Sequence, residues 1–439
     1  MLLRQAGSQR RDGKEDGRMG YLFAPVQPST LFILRTAKII LIPKPGKDCT
    51  TPEGYRPISL LPGLGKIYER VILHRMEQYI ARLPPEQFGF RKGLSTTKQL
   101  VRLAEFIGSA LYNNQKVALL MLDVAKAFDR VWHEGLIFKL ISFNFQREMI
   151  QLIYSFIKNR NFFVSFGNDK SDLRYIRAGI AQGSILGPVL YLFYVADFPN
   201  VFKDLNNFLG CYADDTALAV KSLSPTIAIN KLQEIMPHIE HWCTKWRIAI
   251  NADKSQLMII SKKISRNPPD VKLKLFDTEI PLVTKSKYLG VTISQKFTWT
   301  EHIKNVRSKA YGTMKSLMPM LGRYSQLDLK RKRHIYTAIV RPIMCYASPV
   351  WATVKHRDLQ KIQVLQNKFL RLITDAHYFV SNETLHRDLK IEYIKDFIHR
   401  MNENFFKKAL ICPFLDHFDV FNYFIYEEDK NIRPLVAHL

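Results

Sequence analysis

The sequence predicts an α+β fold, because short apolar runs of strand length occur among longer stretches of helical periodicity. Two such runs in segment 208–220 flank the adjacent carboxylates Asp214 and Asp215, a pattern typical of a β-hairpin with both acids at its tip. The unbroken apolar run 117–122 indicates a strand that is buried on both faces. Apolar residues at helical spacing before and after these runs indicate helices.

The amino-acid composition indicates a folded protein with an anionic partner. The chain has 439 residues, of which 47% are hydrophobic and 12% aromatic, so it is expected to fold rather than to stay disordered. Its 65 Lys and Arg against 39 Asp and Glu give a formal net charge of +26. Such a charge favours a polyanion, with nucleic acid the first candidate and an anionic membrane surface the second.

Membrane-spanning and cysteine-based architectures are not predicted. The longest apolar stretch, 185–196, contains Gly187 and Pro188 and falls short of the ~18 residues of a spanning helix. The five cysteines lie far apart with no C-x-x-C spacing, so neither a zinc site nor a disulfide framework is expected. We therefore expect a soluble, intracellular protein in a reducing compartment, without a membrane partner.

Three carboxylates are the candidate chemical centre. Asp123 ends the buried run 117–122, which predicts an acid in a cleft at the end of a central strand. A bare pair such as Asp214-Asp215 is more often an acidic turn, since turns are rich in Asp. Adjacent ionised carboxylates repel each other, and a divalent cation between them removes that cost. With a third carboxylate nearby, the acids predict a two-metal phosphoryl-transfer site.

Two segments resemble the palm motifs of reverse transcriptases from jockey-type non-LTR retrotransposons, which are LINE-like elements. One is 122–132, in which Phe128 follows Asp123, and the other is 212–215, Tyr-Ala-Asp-Asp. The resemblance covers roughly 37–390. It implies a right-hand polymerase with fingers, a palm built on an antiparallel sheet, and a helical thumb.

The same resemblance implies an RNA-directed DNA polymerase, a nucleotidyltransferase that binds an RNA template, a DNA primer and dNTPs. Asp123, Asp214 and Asp215 would hold two Mg²⁺ ions, with Mn²⁺ as a substitute. The family also implies a nuclear location, although the residues identify no targeting signal. The sequence identifies no protein partner.

Substrate-binding roles follow from the resemblance residue by residue. Lys44 and Arg56 in the fingers would reach the triphosphate. The alternative is a solvated basic turn, which is the expectation for Lys47 and stays open for Arg56; packing or pairing is a further alternative for Arg56. Phe128 would exclude a 2′-OH beneath the ribose, although an aromatic at a helix start is more often part of the core. Gln182 and Gly183 would lie against the nascent base pair, in a Gly-rich turn where the backbone approaches a ligand closely.

Two further site residues complete the prediction. Tyr212, next to the acids, would contact substrate, and Lys254 would protonate the pyrophosphate leaving group. A lysine before a strand is usually just solvated, which remains the alternative. Segment 287–293 resembles the hairpin that ends the palm and grips the primer, where Gly290 permits close backbone approach.

Helices are predicted around these motifs. Ser95 or Thr96 caps a helix that ends near residue 112, and the aromatic and basic segment before it, 87–93, either grips a template strand or packs internally. A helical pattern begins near 124 and is strongest over 138–158. A second helix spans about 224–245, with Pro237 expected to kink or interrupt it.

The thumb prediction depends on charge. Nine Lys or Arg between 304 and 333 stand against one acid, Asp328. A merely solvated helix usually interleaves both signs, so a helical face lying along nucleic-acid phosphates is the better explanation.

The predicted organisation is a disordered lead-in at 1–29, fingers and palm at 30–295, a thumb at 296–375, and a C-terminal region of unassigned role at 376–439. Jockey-type proteins carry an endonuclease before the polymerase, and we expect it to be missing from this sequence. Two rivals stay open. One is a template-independent or DNA-templated polymerase with the same site, and the other is a catalytically idle nucleic-acid-binding remnant of a retrotransposon.

Overall fold

A computed structural model describes residues 36–44, 46–200, 206–263, 271–351 and 354–412. The predicted lead-in at 1–29 and the end of the predicted C-terminal region, 413–439, lie outside the described residues. The strands are β1 Thr36–Pro43, β2 Tyr55–Leu60, β3 Lys116–Leu122, β4 Asn161–Phe166, β5 Asp169–Lys170, β6 Arg174–Tyr175, β7 Asn207–Tyr212, β8 Asp215–Ser222, β9 Gln256–Ile260, β10 Lys274–Leu275, β11 Thr278–Glu279, β12 Lys285–Tyr288 and β13 Val291–Ser294.

The helices are α1 Gly63–Ile80, α2 Thr96–Tyr112, α3 His133–Ser142, α4 Arg147–Ile157, α5 Gly187–Val195, α6 Pro225–Trp246, α7 Thr300–Ser316, α8 Met318–Leu321, α9 Leu329–Ile335, α10 Arg341–Cys345, α11 Ser348–Trp351, α12 His356–Thr374, α13 Asn382–Asp388 and α14 Ile394–Leu410. A 3-10 turn at Pro52–Gly54 precedes β2, and a π-helical segment, Tyr336–Val340, joins α9 to α10. No helix within these described ranges is long and apolar enough to cross a membrane.

The central sheet has the strand order β7-β8-β3-β9, and all its pairs are antiparallel. Strand β3 lies inside the sheet and alternates between two hydrophobic clusters. Val117, Leu119 and Met121 enter one cluster, and the other three apolar residues of the strand enter the second. The prediction of a strand buried on both faces is therefore confirmed, and it explains why the apolar run is unbroken.

The first cluster joins the sheet to α2, to the hairpin β12–β13 and to the C-terminal helices from α7 to α14. The second joins the opposite face to α1, α3, α4, α5 and α6. Along α7, Ile303, Val306 and Ala310 are buried and form the apolar face of the helix. This first cluster is continuous from the sheet through α14, so it does not mark where one domain ends and the next begins. The domain boundaries at 295/296 and 375/376 therefore stay predictions.

A second sheet has the order β2-β1-β4-β5, with β6 also paired to β4. Strands β1 and β2 are antiparallel, and β1 is parallel to β4. Pro57 lies in β2, an edge strand, where a residue without an N–H removes no hydrogen bond from the interior of the sheet. Strands β1 and β2 thus form one hairpin.

The helical pattern predicted from 124 was wrong at its start. Val124 instead makes an isolated bridge to Ile250, Lys126 has a φ of +51°, and the first helix begins at His133. The pattern over 138–158 divides into α3 and α4, because Asn144 adopts a φ of +55° that ends helical geometry. By contrast, α6 continues through Pro237 without interruption.

Glu69 connects α1 to the segment before α5 through hydrogen bonds. The residue is fully buried, and its Oε2 accepts hydrogen bonds from Ser184 Oγ at 2.5 Å, Ile185 N at 2.5 Å and Leu186 N at 2.9 Å. The positive end of α5 lies just beyond these donors, so the acid is favourably placed. This contact holds the Gly-rich segment 177–187 against the rest of the fold.

Replacing Glu69 with Ala is expected to lower the free energy of unfolding by about 3 kcal/mol, because buried donors lose a charged acceptor. Urea unfolding followed by tryptophan fluorescence measures this change. The control is Glu77→Ala on the same helix, whose side chain is 67% exposed and which should change stability by less than about 0.5 kcal/mol. Equal unfolding midpoints for the two variants would contradict the assigned role.

Candidate active site

The predicted hairpin tip is a two-residue turn between β7 and β8. Tyr212 pairs with Asp215 in the antiparallel register, which leaves Ala213 and Asp214 in the turn. Ala213 is buried and adopts a left-handed φ of +57°, which an L-residue adopts only at a cost. The hairpin with both acids at its tip is confirmed.

Asp123 follows β3 directly and is exposed. Both backbone polar groups of Asp123 are hydrogen-bonded to the turn 251–255. Its N–H donates to Ser255 Oγ at 3.1 Å, and its carbonyl accepts from Asn251 N at 2.8 Å. Strand β8 pairs with β3 so that Leu122 lies opposite Thr216. This register brings the end of β3 beside the start of β8, and therefore Asp123 beside the acidic turn.

The three carboxylates influence one another electrostatically. Burial is the main cause that raises the pKa of Asp214, and the negative charge of Asp123 raises it further. The pKa of Asp215 rises to about 6, first through loss of hydration and then through repulsion from Asp214 and Asp123. Both shifts have the direction expected for acids that lose water and face like charge.

Oxygen donors from three acids match the ligand preference of hard divalent cations. A cation among them would oppose the repulsion that raises both pKa values, so the donor chemistry fits the predicted ions. Within the described residues, no group of three or more His, Cys, Asp or Glu side chains is gathered tightly enough to hold a metal ion in its present arrangement. The three acids thus supply suitable donor atoms, but they are not gathered at metal-binding distances.

Beneath the turn lies a cavity of about 20 Å³ lined by Asp214, Thr216, Gln87 and Tyr191, among others. Its size suits a single water molecule. Burial, and then the charge of Asp214, raises the pKa of the Tyr191 hydroxyl above its usual value. The floor of the site is therefore a tightly packed layer with few polar groups.

Phe128 lies in a turn rather than in a helix, half-buried against other aromatic rings. It stacks on Tyr191 with 4.8 Å between ring centroids, and Phe90 meets it edge-on at 6.3 Å. These contacts fix the direction of the ring. Because Tyr191 also lines the cavity under Asp214, Phe128 is connected to the acidic turn through one ring.

Gln182 and Gly183 contact strand β2 of the second sheet, and Gln182 also contacts the turn that follows β3. The Gln182 carbonyl accepts from Ser59 N at 2.7 Å, and its side-chain Nε2 donates to Asp129 Oδ1 at 2.9 Å. Gly183 has a φ of +116°, and a Cβ there would come within 2.5 Å of the Ser59 carbonyl oxygen. The close approach predicted for Gly183 is thus to strand β2 of the same chain.

Lys44 and Arg56 lie on the β1–β2 hairpin. The Lys44 ammonium donates to the Glu53 carbonyl at 2.8 Å, and Arg56 is exposed opposite Ile42. No ion pair among the described residues joins either of them to the three acids. The structure therefore brings the acids together but leaves these two cations on a separate sheet.

Lys254 is exposed in the turn 251–255 that fastens Asp123, and it makes no ion pair within the described part of the chain. Tyr212 is half-buried at the end of β7, and burial raises the pKa of its hydroxyl. Gly290 has a φ of +86°, and a Cβ on it would come within 2.9 Å of the Tyr346 ring. The close approach at Gly290 is thus to this ring.

The segment predicted to grip a template or to pack internally is mostly packed. Phe88 is fully buried, and Arg91 Nη1 donates to the Pro84 carbonyl at 2.8 Å and the Gln87 carbonyl at 3.2 Å. Phe90 keeps half of its surface exposed. Gln87, whose Oε1 accepts from Ala213 N at 2.9 Å, was not singled out from the sequence.

Glu69 was also missed, although the sequence carries a signal for it. On α1 it shares the face of Ile72, Met76 and Tyr79, which are buried at helical spacing. A single acid in an apolar stripe of an amphipathic helix indicates a buried, hydrogen-bonded carboxylate. Gln87 carries no comparable signal.

The basic residues of 304–333 differ in their surroundings. Lys332 donates to the Gly322 carbonyl and Arg333 to the Lys390 carbonyl, so both are used inside the fold. On α7, Lys304 and Arg307 are exposed, and they line an open groove of about 400 Å³ together with Tyr311 and with Lys368 of α12. Ser308, Val364 and Leu365 complete the lining, which contains three cations and no acid.

Residues 42–293 match the family described as reverse transcriptase (RNA-dependent DNA polymerase). The chain is 36% identical over 374 residues to the probable RNA-directed DNA polymerase from transposon BS of Drosophila melanogaster, which covers 83% of this chain and 41% of that protein. It is 35% identical over 399 residues to the RNA-directed DNA polymerase from mobile element jockey of Drosophila funebris, covering 89% of this chain and 42% of that protein.

Among solved structures, apo telomerase from Candida Tropicalis aligns over 89% of this chain and 69% of that chain, at 12% identity and a TM-score of 0.45. The chain spans about two-fifths of the length of the curated relatives it matches. The sequence-based resemblance is confirmed by the family match and by these identities. The chain belongs to the reverse transcriptase family, beside the polymerases of jockey-type mobile elements, and has the family's α+β right-hand polymerase fold.

Proposed function

We propose that this chain is an RNA-directed DNA polymerase that extends a primer 3′-OH with dNTPs by two-metal nucleotidyl transfer. The observation that carries the proposal is the meeting of Asp123, at the end of a doubly buried strand, with the turn that presents Asp214 and Asp215. The relatives whose names state RNA-directed DNA polymerase support the choice of template and product.

Asp123, Asp214 and Asp215 would hold the ions, which we propose are Mg²⁺ with Mn²⁺ able to substitute. When bound, two such ions supply Lewis-acid stabilisation to the attacking 3′-oxygen and to the triphosphate. The chain holds the three carboxylates on two different elements of one sheet. Their relative position therefore depends on strand register rather than on a flexible loop.

The bond changes are those of an in-line displacement. The primer 3′-oxygen forms a bond to the α-phosphorus while the bond from that phosphorus to the bridging oxygen breaks, and pyrophosphate leaves. The 3′-OH proton passes to solvent. Lys254, exposed in the turn that fastens Asp123, would donate its Nζ proton to the leaving pyrophosphate.

Lys44 and Arg56 would bind the triphosphate. Arg supplies a planar pair of donors and Lys a mobile point charge, and both suit phosphate oxygens. Lys44 would exchange its bond to the Glu53 carbonyl for one to phosphate. Arg56 is already exposed on β2, three residues before Ser59, which is hydrogen-bonded to Gln182.

Phe128, Gln182, Gly183 and Tyr212 would shape the nucleotide pocket. The Phe128 ring is held by Tyr191, so it can exclude a 2′-OH without moving. Gln182 would lie against the nascent base pair, in the position that its bonds to β2 and Asp129 give it. Tyr212 would contact the substrate beside the acids.

The groove between α7 and α12 would bind nucleic-acid phosphates. Lys304, Arg307 and Lys368 supply positive charge, and Tyr311 offers an aromatic face. Phosphate contacts position a duplex without reading its sequence, which suits a polymerase.

The direct test is extension of a DNA primer with dNTPs and Mg²⁺ on an RNA template, a DNA template of the same sequence, and no template. The purified chain is expected to extend the primer on RNA, with dideoxynucleotides terminating the products. Asp214→Asn should reduce the rate by at least about 100-fold, because one carboxylate ligand is lost. The readout is the rate of single-nucleotide addition.

Two outcomes would contradict the proposal. Efficient extension on DNA alone, or without a template, would favour a polymerase with a different template. No extension by the wild-type chain, with salt-sensitive RNA binding that Asp214→Asn leaves unchanged, would indicate an idle nucleic-acid-binding remnant.

Removing both charges of Lys304 and Arg307 by substitution with Gln is expected to weaken duplex binding mainly at low salt. A plot of the logarithm of the association constant against the logarithm of the salt concentration has a negative slope. Its magnitude should decrease by about 2, since two phosphate contacts are lost. Fluorescence anisotropy with an RNA–DNA duplex measures the slope.

The control changes Lys272 and Lys274 to Gln, which removes the same charge beside β10 on the opposite face of the central sheet. This control should keep the wild-type slope. Equal slopes for the two double variants would show that net charge, rather than the groove, controls binding.

A further inference from the structure

The turn that carries Asp214 is held in a conformation that its own residues do not favour. Ala213 is 6% exposed and has a φ of +57°, a region where glycine or asparagine is the usual residue. An alanine in this conformation persists only when surrounding contacts determine it. The contacts to Ala213 are therefore informative about how Asp214 is placed.

Gln87 supplies such a contact. Its side chain is 4% exposed, and its Oε1 accepts two backbone N–H groups, one from Ala213 and one from Gly89, both at 2.9 Å. One buried amide oxygen thus bridges the acidic turn and the segment that precedes α2. These two hydrogen bonds indicate that the Gln87 side chain does more than pack in the core.

The backbone around Gln87 is itself fixed to the edge of the central sheet. Phe88 N donates to the Cys211 carbonyl at 2.8 Å, and Cys211 N donates to the Glu86 carbonyl at 3.0 Å, so this short stretch runs parallel to β7. A Cβ on Gly89 would overlap Ala213 N, which shows how closely the two backbones approach. These backbone contacts hold Gln87, and therefore the acceptor for the Ala213 N–H, in place against β7.

We propose that Gln87 is a positioning residue for the polymerase reaction, which keeps the Asp214 turn in its reactive geometry through the shared acceptor on Ala213 and Gly89. This inference rests on the proposed function, since positioning matters only if Asp214 takes part in catalysis. Gln87 acts through the turn and does not contact the reacting atoms. Its loss changes the rate of the chemical step more than the affinity for nucleotide, because small displacements of a catalytic group are costly.

The test compares three variants of the full chain. Gln87→Met keeps the length of the side chain and removes the acceptor, and Gln87→Glu keeps an acceptor oxygen in either protonation state. The matched control is Gln366→Met, a fully buried glutamine of α12 that donates to the Glu392 carbonyl at 2.9 Å, far along the chain from the site.

Two measurements are made on each variant. The first is hydrogen exchange of the Ala213 amide, resolved by fragmentation mass spectrometry and made without nucleic acid or metal. The second is single-nucleotide addition, which separates kcat from the KM for dNTP. Gln87→Met is expected to speed Ala213 exchange by at least about tenfold and to lower kcat by about 10–100-fold, while KM changes little. Gln87→Glu should keep the slow exchange.

Gln366→Met should lower the thermal midpoint while leaving Ala213 exchange and kcat unchanged. The inference is overturned if Gln87→Met keeps the wild-type exchange rate at Ala213, or if Gln366→Met lowers kcat equally. The wild-type chain provides a check that needs no variant, because its Ala213 amide should exchange as slowly as the strand amide of Cys211. If the wild-type chain fails to extend primers, the proposed function fails, whereas the exchange measurement still decides whether Gln87 holds the turn.

Discussion

Strand β3 is packed against a different hydrophobic cluster on each of its faces, and it pairs with a neighbouring strand along both edges. A strand held in this way cannot shift its register by one residue without exchanging its two faces. Asp123 follows the last residue of β3, and the β7–β8 turn is fixed by pairing with that strand. The position of all three acids therefore depends on the burial of one apolar run.

The surrounding elements depend on the same sheet. The C-terminal helices share a hydrophobic cluster with one face of β3, so their basic groove is attached to the central sheet through a common core. On the other face, Glu69 and the Gln182–Ser59 hydrogen bond hold α1 and the second sheet against the segment before α5. Through these few contacts, the residues proposed to bind the nucleotide are connected to the residues proposed to act on it.

Much of this arrangement could be predicted from the sequence, because it follows from local patterns. The unbroken run before Asp123 and the hairpin around Asp214 predicted three of the central strands. Ser95 or Thr96 was expected to cap α2, and Ser95 is the residue that does so, by accepting from Lys98 N. The helix expected from 124 was wrong, since long-range pairing of Val124 with Ile250 overrides local periodicity. Gln87 could not be found from the sequence, because its role depends on contact with a residue 126 positions away.

The most direct test of the central claim, that strand register brings the three carboxylates into one divalent-ion site, is a Mn²⁺ titration followed by electron paramagnetic resonance. Asp123→Asn changes the acid that follows the strand rather than an acid of the turn, and should weaken Mn²⁺ binding by at least about tenfold. Asp253→Asn, an exposed acid in the adjacent loop, should leave the affinity unchanged. Unaltered affinity in Asp123→Asn, or an equal loss in Asp253→Asn, would contradict a site shared between the strand and the turn.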